Sequence, residues 1–359
     1  MKKVLVLSLT HGRGYGAERV LEYLMIAGKD TLSKQLMIAS PRGSAVAEKA
    51  AELSYAWLPW ESARDSFFQN LAAFFKLSRR EEIKEVEIFH GWTSRAFEWV
   101  ILLSLLKDGS AMGSVHESPV AYFHRFFRRK LIGLGMSRLQ KCVYVSQALM
   151  DLCGGYSEEC LIIRNGLPDL KTAPRNPDGV VKVGFLGVNA LGKGVEVLER
   201  VITGMKDEPV QWHLFGQPSE ETEEIIRRIG GRELADRVVI HGFKSSSQIY
   251  GDLDIVFHPS TAFDAFPTVL IESARAGRPV VASRLGGVEE ITVHGKTGLL
   301  YEPGDEKEAI RLLGELVRDR DMRELLGRQA RLHFEAAFGV DEMVKKYISL
   351  WTGAGSHGL

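Results

Sequence analysis

VGFLGVNALGKGVEVLE, residues 183–199, compresses one βα unit into a single line. Apolar residues run through Phe185 and Leu186 as a short strand would, and glycines 187, 192 and 194 then interrupt the pattern. From Val195 the residues Val195, Val197, Leu198, Val201 and Ile202 recur at helical spacing. Strand, glycine loop and helix in that order open a parallel-sheet unit, and such units bind ligands at the carboxyl ends of their strands. Lys193 stands where the helix begins. A compact ammonium there suits a diphosphate; a plain surface lysine is the alternative.

The same alternation extends in both directions. Strands are expected at 4–9, 35–40, 86–90, 111–116, 143–146 and 161–164, and again at 180–186, 210–215, 238–241, 255–259, 279–283 and 299–301. Helices are expected at 17–27, at 94–107, and at 66–84, which is rich in Phe and reads as carrying it on one face. Between the two series lies NGLPDLKTAPRNPD, residues 165–178, with three prolines and no periodicity, a linker. The chain therefore reads as α/β: two Rossmann-like doubly wound domains, 1–168 and 179–338, facing a cleft. A last helix, 341–352, aligns Met343, Val344, Tyr347, Ile348 and Trp351 and is expected to pack back on the first domain.

With 359 residues, 45% apolar and 26% charged, two cores are the natural arrangement. Disorder, collagen and a disulfide scaffold are excluded. The 46 basic and 46 acidic side chains balance, but not locally: residues 1–168 hold 22 basic and 17 acidic, the remainder 24 and 29. No uncharged run is long enough to span a bilayer. The apolar run after Met1 is short for a secretory signal, and Cys142, Cys153 and Cys160 lack metal-ligand spacing. A cytoplasmic protein with buried, reduced thiols is expected.

The segment with most chemistry is DAFPTVLIESARAGRPVVAS, residues 264–283. Pro267 fits the first position of a helix, so the amides of Thr268 and Val269 are left to bind a phosphate. Asp264 and Glu272 then supply carboxylates for hydroxyl groups above that terminus, unless this is an ordinary capped helix with solvated acids. HGRGYGAERVLEYL, residues 11–24, places Gly14 and Gly16 without the spacing of a dinucleotide fingerprint, which argues against a nicotinamide site. His116 and, less strongly, His90 end predicted strands. Between Glu117 and Asp151 there is no acid, but Arg125, Arg128, Arg129 and Lys130 alternate with Phe123, Phe126 and Phe127. Such a helix suits an anionic membrane surface, with a solvated basic face as the alternative. No nucleic-acid module is recognisable.

Taken together these motifs resemble the family 4 glycosyltransferases, retaining GT-B enzymes that use nucleotide-sugars. The family's acidic motif pairs two glutamates separated by seven residues. Glu272 matches the second, which the resemblance assigns to the ribose hydroxyls, and Asp264 stands in place of the first, which contacts the donor sugar. Lys193 matches the family lysine at the diphosphate, whereas the partner arginine is replaced by Val188, leaving Arg13 or Lys244 as possible substitutes. Gly14, Gly16 and Glu18 match the family's first glycine loop, Gly187 belongs to the second-domain loop, and His116 matches a histidine near the donor sugar. Asn165 with Gly166 resembles the interdomain segment, and Gly286 with Gly287 a supporting turn.

The resemblance implies hexosyl transfer from a UDP- or GDP-sugar to a hydroxyl of a carbohydrate or lipid-linked acceptor, in cell-envelope polysaccharide, lipopolysaccharide or glycolipid synthesis. It implies no cofactor and no metal, because Asp252 and Asp254 flank a buried strand instead of forming a metal loop. It also implies work at the inner face of the membrane. The alternatives are a silent nucleotide-sugar sensor or scaffold, favoured by Val188 and Asp264, and another GT-B enzyme such as a sugar-nucleotide epimerase.

Overall fold

The computed structural model describes residues 2–10, 16–62, 66–117, 137–154, 157, 159–170, 179–231 and 235–353. The chain divides into two compact units, Met1–Pro168 with Gly339–Leu359, and Asp169–Phe338.

The first unit is a seven-stranded sheet in the order β3-β2-β1-β4-β5-β6-β7, every pair parallel. Its strands are β1 (Val4–Leu7), β2 (Leu36–Ser40), β3 (Ala56–Pro59), β4 (Ile88–Gly91), β5 (Ser110–Val115), β6 (Lys141–Tyr144) and β7 (Glu159–Ile162). β1, β2, β4 and all of β5 beyond its first residue are buried, as parallel strands covered on both faces must be. β3 is absent from the sequence reading. AWLP is four residues long, sits at the sheet edge and ends in a proline, the one place a strand tolerates it.

The second unit is a six-stranded parallel sheet in the order β10-β9-β8-β11-β12-β13. The strands are β8 (Val181–Leu186), β9 (Val210–Phe215), β10 (Val238–Ile240), β11 (Ile255–His258), β12 (Val280–Ser283) and β13 (Gly298–Tyr301). Counted within the unit this is the order 3-2-1-4-5-6, so the strand direction of progression reverses between β8 and β11. In doubly wound sheets the carboxyl ends of the two strands at such a switch point are where ligands bind. In the first unit the reversal lies between β1 and β4.

The C-terminal helix Val340–Thr352 belongs to the first unit. Met343, Val344, Tyr347, Leu350 and Trp351 are buried in one cluster with Val4, Val6, Leu24 and Ile88. Ile348 is only partly buried, and Leu350 takes the inward place. The helix is fixed at both ends. Val340 N donates to Leu167 O at 3.1 Å, and Trp351 Nε1 donates to His90 Nδ1 at 3.1 Å.

Two expectations are corrected here. The helix placed at 66–84 ends at Ser78, with Arg79 as its cap, and a separate turn of 3₁₀ helix follows at Glu81–Ile83, turning Ile83 inward. The Phe residues of Phe67–Ser78 do not share a face: Phe74 is buried while Phe67, Phe68 and Phe75 are exposed. The reason is spacing, since neighbours in the Phe67-Phe68 and Phe74-Phe75 pairs are rotated about 100° apart on a helix. Of the thiols, Cys142 and Cys153 are buried, but Cys160 is half-buried on edge strand β7.

Candidate active site

The carboxyl ends of β8 and β11 meet in a set of contacts that glycine makes possible. Gly194 has φ +84°, and a Cβ there would lie 1.9 Å from the Pro259 carbonyl oxygen, so the loops after β8 and β11 touch backbone to backbone. Thr261 N and Ala262 N both donate to Gly192 O, at 3.0 and 3.1 Å, and Ser260 Oγ donates to the same oxygen at 3.0 Å. Gly187, φ +125°, lies so close to Lys193 that an added Cβ would stand 3.0 Å from the lysine Cγ.

That framework brings Lys193 and Asp264, 71 residues apart, into an ion pair with Nζ 2.5 Å from Oδ2. Lys193 is 38% exposed and Asp264 16%. A third member was missed in the sequence: His258, the last residue of β11, has Nε2 4.0 Å from the same Oδ2. Its strand-end position is the signal that singled out His116 and His90, and the run IVFHPS carries it equally well. Burial, and secondarily Lys193, push His258 down to about 4 against the opposing effect of Asp264, so the imidazole is neutral at pH 7. Asp264 is itself gripped from behind: Gly287 N donates to its carbonyl at 2.9 Å, and a Cβ on Gly286 would meet that oxygen at 2.1 Å.

Next along the chain, Pro267 is the N-cap of Thr268–Arg275, one position earlier than expected. The first-turn amides are unchanged by this, because Leu270 N turns back to Pro267 O while Thr268 and Val269 occupy the two positions before it. Glu272 lies inside the helix, 4% exposed, with the Tyr250 hydroxyl donating to Oε2 at 3.0 Å. It is buried within the helix, whereas Asp264 is half-buried. Val188 is wholly buried in the core of this unit, and its carbonyl accepts from Thr222 Oγ1 at 2.5 Å. Its side chain thus has a packing role, and Lys244 is exposed on the segment after β10. Asp254 is buried, with Oδ2 accepting from Lys182 N at 2.7 Å.

In the first unit, His116 follows β5. Its ring lies 4.9 Å from that of Trp92, and both nitrogens are buried with no hydrogen-bond partner among the described residues. Burial pushes it down to about 3. Trp92 Nε1 donates to Ala17 O at 2.7 Å, which ties this corner to the helix that Gly16 begins, Gly16–Ala27. Glu18 on that helix is 3% exposed, and burial raises its carboxyl above the usual range. His90 is engaged by Ser114 Oγ at 2.8 Å as well as by Trp351, so its role is to hold the C-terminal helix. Gly14, Arg13, Arg125, Arg128, Arg129 and Lys130 lie outside the described residues.

Four buried histidines give a pH prediction. His90 and His116 are pushed down to about 3 and His213 and His258 to about 4, in each case first by burial. Between those values and about 6.5 the unfolded chain binds protons that the folded chain does not, so stability falls as pH drops through that window. Urea midpoints measured from pH 7 to pH 4.5 are expected to decline steadily, with uptake of up to about four protons on unfolding. A flat profile would show that these imidazoles are not buried neutral.

Comparison with known proteins shows what this chain is similar to. Residues 169–333 match the family model described as glycosyl transferases group 1. The sulfoquinovosyl transferase SQD2 of Arabidopsis thaliana is 31% identical over 155 residues, 42% of this chain and 29% of the relative. The D-inositol 3-phosphate glycosyltransferase of Corynebacterium urealyticum is 28% identical over 180 residues, 47% of this chain and 42% of the relative. The chain therefore spans less than half the length of these curated relatives. The crystal structure of Anabaena HepE in complex with UDP and glucose superposes with a TM-score of 0.83 at 18% identity, covering 98% of this chain and 100% of that one. The fold is GT-B, two Rossmann-like α/β domains. The match to the group 1 model falls within the second unit, and Lys193, His258 and Asp264 all lie among the matched residues.

Proposed function

We propose that the protein is a retaining glycosyltransferase of the family 4 type, moving a hexose from a UDP- or GDP-sugar to a hydroxyl of a carbohydrate or lipid-linked acceptor. The reading is metal-independent and needs no cofactor. It places the protein in the cytoplasm, at the inner face of the membrane, in the synthesis of envelope polysaccharide, lipopolysaccharide or glycolipid. One observation carries it: an ammonium and a carboxylate from two separate loops meet at the topological switch point of a parallel sheet, beside the first-turn amides of a helix.

In this reading the donor diphosphate takes over the Lys193 ammonium, and Asp264 turns to a hydroxyl of the sugar. As the anomeric carbon gains oxocarbenium character the leaving diphosphate gains negative charge. Lys193 and the amides of Thr268 and Val269 stabilise that charge, which is where the barrier is lowered most. Glu272 binds the ribose hydroxyls. His116, neutral and with both ring nitrogens unengaged, donates to or accepts from a sugar hydroxyl. HepE, whose structure holds UDP and glucose, supports UDP over GDP.

The test is a thermal-shift panel of UDP, GDP, ADP and their sugars, followed by proton NMR of the transferred product's anomeric centre. A rise in melting point with UDP or GDP and a retained configuration are expected. Inversion would sink the mechanism, and absence of any nucleotide effect the whole reading. Glu272→Ala is expected to weaken nucleotide binding by about tenfold, the loss of one buried charged hydrogen-bonding group. Calorimetry giving an unchanged Kd would remove it from the ribose site. The second reading, a silent nucleotide-sugar sensor, is favoured by the buried Val188 in the arginine position. Tight nucleotide binding with no turnover of any sugar would select it.

A further inference from the structure

The exposed Phe residues of the helix that the sequence reading takes as carrying Phe on one face form part of a surface. On Phe67–Ser78, residues Phe68, Ala72, Phe75 and Arg79 fall on one outward stripe, with Phe68 80% and Phe75 47% exposed. On Phe97–Lys107, Leu102, Leu105 and Leu106 form a second outward stripe, 42%, 68% and 58% exposed, with Glu98 one turn before it. The two helices pack together through buried Trp99, whose ring lies 6.1 Å from Phe67 and 6.0 Å from Phe74. Phe67 is itself 64% exposed, so it joins the stripes along that seam. Six large apolar side chains from two adjacent helices thus lie in the open, well beyond the scattered exposure of an ordinary surface.

We propose that this surface docks on an anionic lipid bilayer, inserting its aromatic and leucine side chains at the headgroup level. The proposal rests on the membrane-side reading above and deepens it by assigning the contact to these two helices. Charge favours lipid as the occupant. Phe67–Ser78 and the two residues after it contain no acid and contain Lys76, Arg79 and Arg80. The Arg79 guanidinium lies over the Phe75 ring at 5.9 Å, which puts a cation at the edge of the apolar stripe. Glu61 pairs with Lys76, and Glu82 stands 3.5 Å from Arg80, while Arg79 lies over the Phe75 ring. The whole segment up to residue 168 has a surplus of basic residues. Apolar insertion combined with cations at its rim is the pairing that binds proteins to the surface of anionic membranes.

The experiment is co-sedimentation of the full chain with vesicles of phosphatidylcholine alone and of phosphatidylcholine with an equal part of phosphatidylglycerol. Binding to the anionic vesicles is expected, with at least about tenfold loss in the variant carrying Phe68→Ser, Phe75→Ser and Leu105→Ser. Arg79→Gln alone should cost roughly fivefold on anionic vesicles and little on neutral ones. Circular dichroism checks that each variant is folded; if the triple variant is not, Phe68→Ser alone carries the test and is expected to weaken binding. A parent protein that stays in the supernatant overturns the proposal, as does a folded variant that binds as well as the parent. A dimer in sedimentation velocity that Phe68→Ser dissociates also overturns it, by giving the surface to a second copy of the chain. The nucleotide panel is independent of all these outcomes, so loss of the enzymatic reading and loss of the membrane surface are told apart.

Discussion

Lys193→Ala is expected to lower sugar transfer by about a hundredfold or more while leaving the fold intact, because it removes fixed charge aimed at the leaving diphosphate. The residue is partly exposed and its ammonium pairs with Asp264, so truncation opens no cavity in the core. The diagnostic pattern is a fall in kcat that exceeds any rise in donor KM. A point charge that acts on developing negative charge is felt more strongly in the transition state than in the bound substrate. Lys193→Arg should recover only part of the loss, since a planar guanidinium on a different stem does not place its charge where the ammonium sits. Near-normal turnover of Lys193→Ala, measured by release of free nucleoside diphosphate, would eliminate the role. Equal loss in kcat and in thermal stability would make it structural.

Gly194→Ala carries the largest expected structural effect. Two independent costs coincide there: a left-handed backbone, about 1–2 kcal/mol for a residue with a Cβ, and a methyl carbon 1.9 Å from the Pro259 carbonyl oxygen. Backbone on both sides leaves nothing flexible to move aside. The loops after β8 and β11 would have to separate, breaking the three bonds to Gly192 O and with them the Lys193–Asp264 pair. A loss of more than about 4 kcal/mol in unfolding free energy is expected for the second unit, together with loss of nucleotide binding. Gly295→Ala is the control, as it also has positive φ but has open space where the Cβ would go, and it should cost only about 1–2 kcal/mol. If the two variants melt alike, the close approach at Gly194 is not what holds the loops.

Much of the architecture was legible because its signal is local. Twelve short apolar runs mark parallel strands whichever way they are ordered, and the proline-rich run at 165–178 separates the two series in the sequence. The C-terminal helix announced its buried face through Met343, Tyr347 and Trp351, because a period of 3.6 needs no partner to be seen. β3 was invisible for the opposite reason, being four residues ending in a proline whose strand character comes wholly from pairing with β2. The Phe residues do not share a face since neighbours are rotated about 100° apart on a helix, and packing against Trp99 covers Phe74 alone. At the candidate site the types and order of residues were readable, and His258 carried the same strand-end signal as His116 and His90, but only sheet order sets it against Asp264.

The amino-acid sequence alone determined that this is a two-series α/β chain, that a lysine follows a glycine loop after the first strand of the second series, and that an acid precedes a short helix further on. These follow from periodicity and from the conformational limits of glycine and proline, which act within a few residues. Only the folded molecule decided that Lys193, His258 and Asp264 converge, that Glu272 is buried within its helix and Val188 in the core, and that Phe68 and Leu105 face outward. Each of those outcomes depends on which strand lies beside which and on what covers each helix. Contacts between residues 71 positions apart are set by sheet order and packing, which no local pattern encodes.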